Sequence, residues 1–580
     1  MKKRLCTLMM LLAALVMTAY AQKARPTTAN YIKACEAIDS SDYEVAYPLL
    51  LEELKIRPKD GYVWKKISEV YISQYEIDSA MIALNNAITY LPKKEKEEIA
   101  GAYSTRSVIN FLSENYDDAM TDCTALQQLT PEDETSYYIK AAIYKSQEKY
   151  AESDAELKKL LNIYGVNKVD AYSALASNVM ERGDYAQALT YCDQAYELDQ
   201  TSLGILTTRS KAHLGLNHEK EAINDAILAC KYDNEDEDGF SHLTQLANDD
   251  SRRSTVIARI KKELETTDRP AYWNRALYSI YHETPNKAEA LRYLIRSYKA
   301  EPNFATARNL YSELADAKLN QEAYHFSNQL LQLCDDDDEE ERMALRIHRC
   351  DLLSNEGKTQ EAIDTLNALR EQMDSKALVD IRSAYMLLND KKPEEAIQYM
   401  KKVDDSDYKT DSYWGMMARM YKMTGQQDCL WLCTELSRYH TTDLAQTLYS
   451  YALNGDKELT LKVMREKAEN FNDSEDEEDE ETVKPEMSDK EVESVIAENM
   501  ESPYDLACIY ALINEKEKAI DYLTQALKNG WKDFKHIEND TDLDNIRGEA
   551  SFISTVKMYQ SMAEKEKQEM RDIYQEEMPN

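Results

Sequence analysis

Turn formers are scarce in this chain: 580 residues hold only 13 glycines and 12 prolines. A β-sandwich or barrel needs a turn signal roughly every 8–12 residues, and that supply is missing. The abundance of Ala, Leu, Glu, Lys and Met favours helix instead. Little or no strand is expected.

Long apolar runs are also missing once the first 21 residues are set aside. Lys2, Lys3 and Arg4 give a basic start, Leu5 to Met17 an apolar stretch, and Ala19-Tyr20-Ala21 a small-x-small cleavage site. This is the pattern of an export signal, with the mature chain beginning near Gln22. Cys6 lies inside the apolar run, so no lipid anchor is expected. No later stretch reaches about 18 consecutive apolar residues, so no membrane insertion is expected after cleavage. The style of signal points to a bacterium, with the periplasm as first address and secretion as second.

Paired cysteines are lacking. Removing Cys6 leaves Cys35, Cys123, Cys192, Cys230, Cys334, Cys350, Cys429, Cys433 and Cys508, an odd set with irregular spacing, unlike a disulfide framework. Most read as small buried hydrophobes. Cys429 and Cys433 share a helix face near His440, but a structural zinc needs a second close pair that the sequence does not supply. No metal is expected.

Positive charge is the next deficit, with 70 basic against 107 acidic residues and a net charge of −37. Losing Lys2, Lys3 and Arg4 takes it to −40. Such a field repels phosphate backbones, so nucleic acid is not an expected partner, while basic or neutral proteins and peptides are. Two acidic runs, Asp335 to Glu341 and Asp473 to Glu481, read as a lengthened turn and a flexible linker. Asn234, Asp236, Asp238 and Gly239 approximate the start of a calcium loop, but the twelfth position is Gln245, which cannot close the site as a bidentate carboxylate does. That segment reads as an acidic turn.

Catalytic patterns are absent as well: no Gly-rich phosphate loop, no G-x-S-x-G elbow, no H-E-x-x-H. The eight histidines are scattered, and His213 falls at a packing position. Neither enzyme activity nor a cofactor is expected.

What the chain does have is a pattern that returns at about 34 residues. It is clearest in Trp64, Ile67, Ser68, Tyr71, Ala80, Leu84, Ala87 and Pro92, and in Tyr172, Leu175, Ala176, Val179, Gly183, Tyr185, Ala188, Cys192 and Ala195. The offsets fit two antiparallel helices joined by a short turn. One such pair cannot bury its apolar face alone, so neighbours must stack into an α-solenoid. Ala188 and Ala195 keep the helix contact close; a bulky side chain there would cost about 1–3 kcal/mol. The 40 tyrosines suit half-buried packing positions.

These residues resemble the tetratricopeptide repeat family over roughly residues 27 to 530. Asn529-Gly530-Trp531, Asp540, Asp542-Leu543-Asp544, Ile546-Arg547 and Phe552 resemble the terminal element that follows the last repeat in exported bacterial members. The fold expected is an all-α superhelix of about 13–14 stacked helix-turn-helix repeats, and the break at 238–268 suggests two arms. The expected organisation is a signal peptide at 1–21, an N-terminal array at 27–237, a degenerate junction at 238–268, a second array at 269–470, an acidic linker at 471–490, a final helix pair at 491–530, and a cap with charged tail at 531–580. Lys557 to Glu577 reads as a charged helix that frays.

In a stacked array the first helix of each pair builds the concave wall, which suits an extended peptide or partner helix. By register Lys65, Glu69, Tyr138, Lys145, Ser173, Ser177 and Lys211 face that wall and are the candidate partner-binding residues. The function expected is a non-catalytic scaffold or adaptor in the bacterial cell envelope. The alternative is a glycan- or peptide-binding protein using groove aromatics.

Overall fold

A computed structural model describes residues 28–233, 238–335, 338–373, 375–404, 406–473 and 487–579. The export signal, Asn234 and Asp236 of the acidic turn and most of the 471–490 linker lie outside the described residues. Among the described residues every regular element is a helix. Two compact units divide the chain, residues 1–260 and 261–580.

Unit 1 opens with the pair Ala29–Asp39 and Tyr43–Ile56, followed by Gly61–Ser73 with Ile77–Tyr90. Four further pairs run from Lys96–Leu112 to Glu219–Tyr232, and then comes the helix Asp238–Ala247. Each first helix packs on its own partner and on the second helix of the preceding pair, which is the continuous burial that the period demands. The small register residues sit at these contacts: Ala80, Ala87, Ala188 and Ala195 are fully buried, and Cys123 and Cys192 fill the same interior position. Burial pushes both thiols up to about 12. Cys35, Cys123, Cys192, Cys334, Cys350, Cys429, Cys433 and Cys508 are free thiols.

The turn inside each pair explains the shortage of glycine. Tyr75 has φ +61°; its N–H donates to Ile72 O at 3.1 Å and the Glu76 N–H to Tyr71 O at 2.9 Å. This is a Schellman closure, with one residue in the left-handed region and the next beginning the second helix. The same left-handed position falls at Ser41, Glu114, Glu148, Gly183 and Asn217 in unit 1, and at Lys318, Gly357, Lys391, Gly425, Gly455 and Asn514 in unit 2. Most of these are not glycine, and each side chain there costs about 1–2 kcal/mol of local strain. Tyr75 is 57% exposed, so it forfeits little packing when removed. Tyr75→Gly is therefore expected to stabilise unit 1 by about 1 kcal/mol after the entropy cost of glycine, read as a higher urea midpoint at unchanged slope.

Unit 2 repeats the plan from Pro270–His282 with Lys287–Ala300 through Leu444–Leu453 with Lys457–Asp473. A lone helix, Asp489–Glu498, packs on Lys457–Asp473 ahead of the last pair, Pro503–Leu512 and Lys516–Lys528. Among the described residues thirteen helix pairs pack in this way, with the helices Asp238–Ala247 and Asp250–Leu264 following the sixth. Of the first acidic run, Glu339, Glu340 and Glu341 form the first turn of helix Glu339–Asn355, where carboxylates complement the helix dipole, and the Asp338 side chain accepts from the Glu341 N–H at 3.1 Å.

The charged tail departs from the sequence expectation. Instead of fraying, it belongs to one helix, Ala550–Glu577, whose Met570, Ile573 and Glu577 are buried. The reason is a heptad stripe. Phe552, Val556, Tyr559, Ala563, Glu566, Met570, Ile573 and Glu577 follow alternating steps of four and three, so one face of a highly charged helix is apolar at both ends.

Candidate partner-binding surfaces

In unit 1 the seven candidate residues lie on first helices: Lys65 and Glu69 on Gly61–Ser73, Tyr138 and Lys145 on Glu134–Ser146, Ser173 and Ser177 on Lys168–Glu181, and Lys211 on Leu203–Gly215. Neighbouring first helices are bridged along this face. Lys65 Nζ meets Glu98 Oε2 at 2.6 Å, and Lys145 Nζ donates to Ser177 Oγ at 2.6 Å. Glu69 instead takes Lys66, at 2.8 Å. Tyr138 is half-buried against Ala141, Leu157 and Leu175; its hydroxyl is enclosed, and burial raises the phenol above its ordinary value. Ser173 is half-buried and Lys211 exposed. The candidates thus fall into one bridged pair, Lys145 with Ser177, and separate positions along the array.

A second polar set escaped the sequence reading. Asp122, Asp154 and Asp225 lie on second helices, yet are buried. Arg106 reaches Asp122 with two bonds of 2.9 and 2.5 Å, Arg182 reaches Asp154 at 2.9 Å, and Arg209 reaches Asp225 at 2.8 and 2.6 Å. Buried carboxylates need such forks, so these groups pin helices to each other. Nothing local marks them, because acidic residues are everywhere in the chain. Among the described residues no group of His, Cys, Asp and Glu is arranged to hold a metal, and no helix is long and apolar enough to cross a membrane.

In unit 2 the C-terminal segment folds back on the first helices. Gly530, at φ +99°, ends the last pair and lets Trp531 stack on Tyr504, with ring centroids 4.3 Å apart and planes within 4°. Asp540 and Asp542 follow in a short turn, both buried. Arg419 of helix Asp411–Met423 forms an ion pair with each, Tyr504 donates to Asp540 Oδ2 at 2.9 Å, and Tyr449 of helix Leu444–Leu453 donates to Asp542 Oδ2 at 2.6 Å. Burial alone would raise both acids; His536 and Arg419 hold Asp540 below its usual range, while Asp542 stays raised. Arg547 closes the turn onto Ile537 O at 3.0 Å and Asp540 O at 2.6 Å, above the fully buried Ile537, Leu543 and Ile546. Asp540 and Asp542 were read from the sequence as part of a cap. Their partners, contributed by three successive first helices, were not.

A family model described as tetratricopeptide repeat matches residues 503–529, the last helix pair. That pair is a tetratricopeptide repeat. A chloroplastic protein of Arabidopsis thaliana is 36% identical over 56 residues, which is 10% of this chain and 17% of that protein. Among solved structures, a tetratricopeptide repeat protein from Parabacteroides merdae is 13% identical with a TM-score of 0.33, covering 43% of this chain and 97% of its own. Pseudomonas aeruginosa pilF is 12% identical with a TM-score of 0.29, covering 35% of this chain and 90% of its own. The tetratricopeptide repeats of this chain support a role as a protein–protein interaction scaffold.

Proposed function

We propose that this tetratricopeptide repeat protein is a non-catalytic adaptor of the bacterial cell envelope that holds an extended peptide or partner helix against the first-helix face of unit 1. The observation carrying this reading is a pair of cross-repeat bridges, Lys65 to Glu98 and Lys145 to Ser177, each of which ties one first helix to the next and lines the face with polar groups. A face of that kind offers hydrogen-bonding groups at repeat spacing, which suits a ligand as extended as the array. The net charge of −37 favours a basic or neutral partner and disfavours nucleic acid. The alternative of glycan stacking finds less support on this face, since in unit 1 the large exposed aromatics Tyr75 and Tyr164 sit singly in turns and Tyr232 at a helix end.

The test is affinity capture from an envelope extract, using the mature chain and its Tyr138→Ala/Ser177→Ala/Lys211→Glu variant. A partner retained by the first and lost by the second, at equal helicity, is the expected result. Retention of every captured protein by the variant would remove this face from the proposal.

A further inference from the structure

The terminal helix Ala550–Glu577 packs on two separate apolar clusters, Phe552, Val556, Tyr559 and Ala563 on one and Met570 and Ile573 on the other. Phe552 and Val556 are buried near its start, and Met570 and Ile573 near its finish, but Met558 and Met562 between them are 52% and 61% exposed. The distal end lies on helix Lys287–Ala300, in one apolar cluster with Leu291, Ile295 and Tyr298. Three cations on one face of that helix close the seat. Arg296 and Arg292 meet Glu577 Oε1 at 2.7 and 3.2 Å, and Lys299 Nζ donates to Glu577 O at 2.7 Å. Arg292 also takes Glu576 at 3.1 Å, and Arg571 takes Glu322 at 2.8 Å. Beside the distal half lies a cavity of about 560 Å³, lined by His282, Glu313, Tyr385, Trp531, His536 and Glu566 among others, and Glu566 is tied there to Lys532 at 2.7 Å.

We propose that this seat is a docking site for a partner's amphipathic helix that ends in carboxylates, and that the chain's own terminal helix fills it as a competing latch. The chemistry follows from the seat: an apolar strip for two or three side chains spaced three or four apart, bordered by Arg292, Arg296 and Lys299 in a chain otherwise dominated by acid. A helix with apolar residues at those steps and a closing pair of glutamates matches it, as the chain's own Met570, Ile573, Glu576 and Glu577 do. A second copy is the weaker occupant, because two chains of charge −37 repel. The distal end can leave without the rest, since Met570 and Ile573 pack in a different apolar cluster from Phe552, Val556, Tyr559 and Ala563. This surface belongs to unit 2 and does not depend on the unit 1 reading.

The test uses the full chain and, as probe, a fluorescent synthetic peptide copying residues 565–579. Tethering gives the latch an advantage of roughly 100-fold or more over a free helix. Met570→Glu/Ile573→Glu, which spoils the latch and leaves the seat intact, is therefore expected to bind the probe roughly 100-fold more tightly than the unaltered chain. Its amides at 566–577 should exchange faster, and adding Arg292→Glu/Arg296→Glu should abolish probe binding. A variant with a released latch that binds the probe no better than the parent overturns the proposal, as does unchanged exchange at 566–577. Concentration-dependent dimers of the parent that vanish in the variant would assign the seat to a second copy instead. Should the variant lose helicity, saturating probe added to the parent must deprotect its own 566–577 amides, and failure to do so is equally decisive.

Discussion

Replacing Arg419 by methionine is expected to cost about 3–5 kcal/mol, the scale for stranding buried charge when one partner of an ion pair is removed. Asp540 and Asp542 each have only 2% of their side-chain surface exposed, and Arg419 is the cation paired with both. Tyr504, Tyr449 and His536 remain as neighbours after the substitution, but the tyrosines are neutral donors. The expected readout is a lowered urea midpoint for unit 2, with amide exchange rising first in the Asp540 turn and in helix Pro503–Leu512. Adding Asp540→Asn/Asp542→Asn should recover part of the loss, because no carboxylate is then left buried and unpaired. An Arg419→Met chain as stable as its parent would mean that the acidic turn does not depend on the first helices beneath it.

The same turn shows where the sequence is legible and where it is not. The helix pairs could be read because their determinants are local and repeated: Trp64, Tyr71, Ala80 and Ala87 recur at fixed offsets, and each offset corresponds to a contact within one pair or with the next. Turn glycines were a poor guide, since Tyr75 and Glu114 adopt the left-handed position that Gly183 and Gly425 occupy elsewhere. There the period identifies the turn and composition does not. Arg419 and Asp540 are 121 residues apart, and no periodic or compositional signal joins them. The terminal helix lies between these cases. Its heptad was present in Phe552, Val556, Tyr559, Ala563, Met570 and Ile573, but the density of Lys and Glu around it concealed an apolar face only one residue wide. Among the unit 1 candidates, register assigns Lys145 and Ser177 to successive first helices. The bridge between them depends on the stacking of two pairs, which register implies only once the array is built.

Acid should weaken unit 1 in large part through His242. His242 of helix Asp238–Ala247 is 7% exposed, and its Nε2 lies 2.8 Å from Ser210 Oγ. Ser210 already donates its own hydroxyl proton to Ala222 O at 2.8 Å, so His242 must be the donor through Nε2–H. That leaves Nδ1 as the basic nitrogen, and it is buried with no hydrogen-bond partner. Protonation would place an uncompensated charge there, and burial, assisted by Lys211, accordingly depresses the imidazole from 6.5 to about 4. Between those two values the unfolded chain binds a proton that the folded chain refuses. Stability is therefore complete above the unfolded value and falls as the pH drops toward the folded one. The depression corresponds to about 3 kcal/mol lost by pH 4 relative to pH 7. His242→Gln keeps a donor for Ser210 and cannot titrate, so the difference between parent and variant isolates this group from the many carboxylates that titrate in both. Urea unfolding at a series of pH values, with amide exchange followed in helices Leu203–Gly215 and Asp238–Ala247, should show the parent losing about 3 kcal/mol more than the variant across that window. Parallel curves would mean that His242 finds a proton acceptor or water in the folded state, and that its neighbours do not enclose it as the hydrogen bonds around Ser210 require.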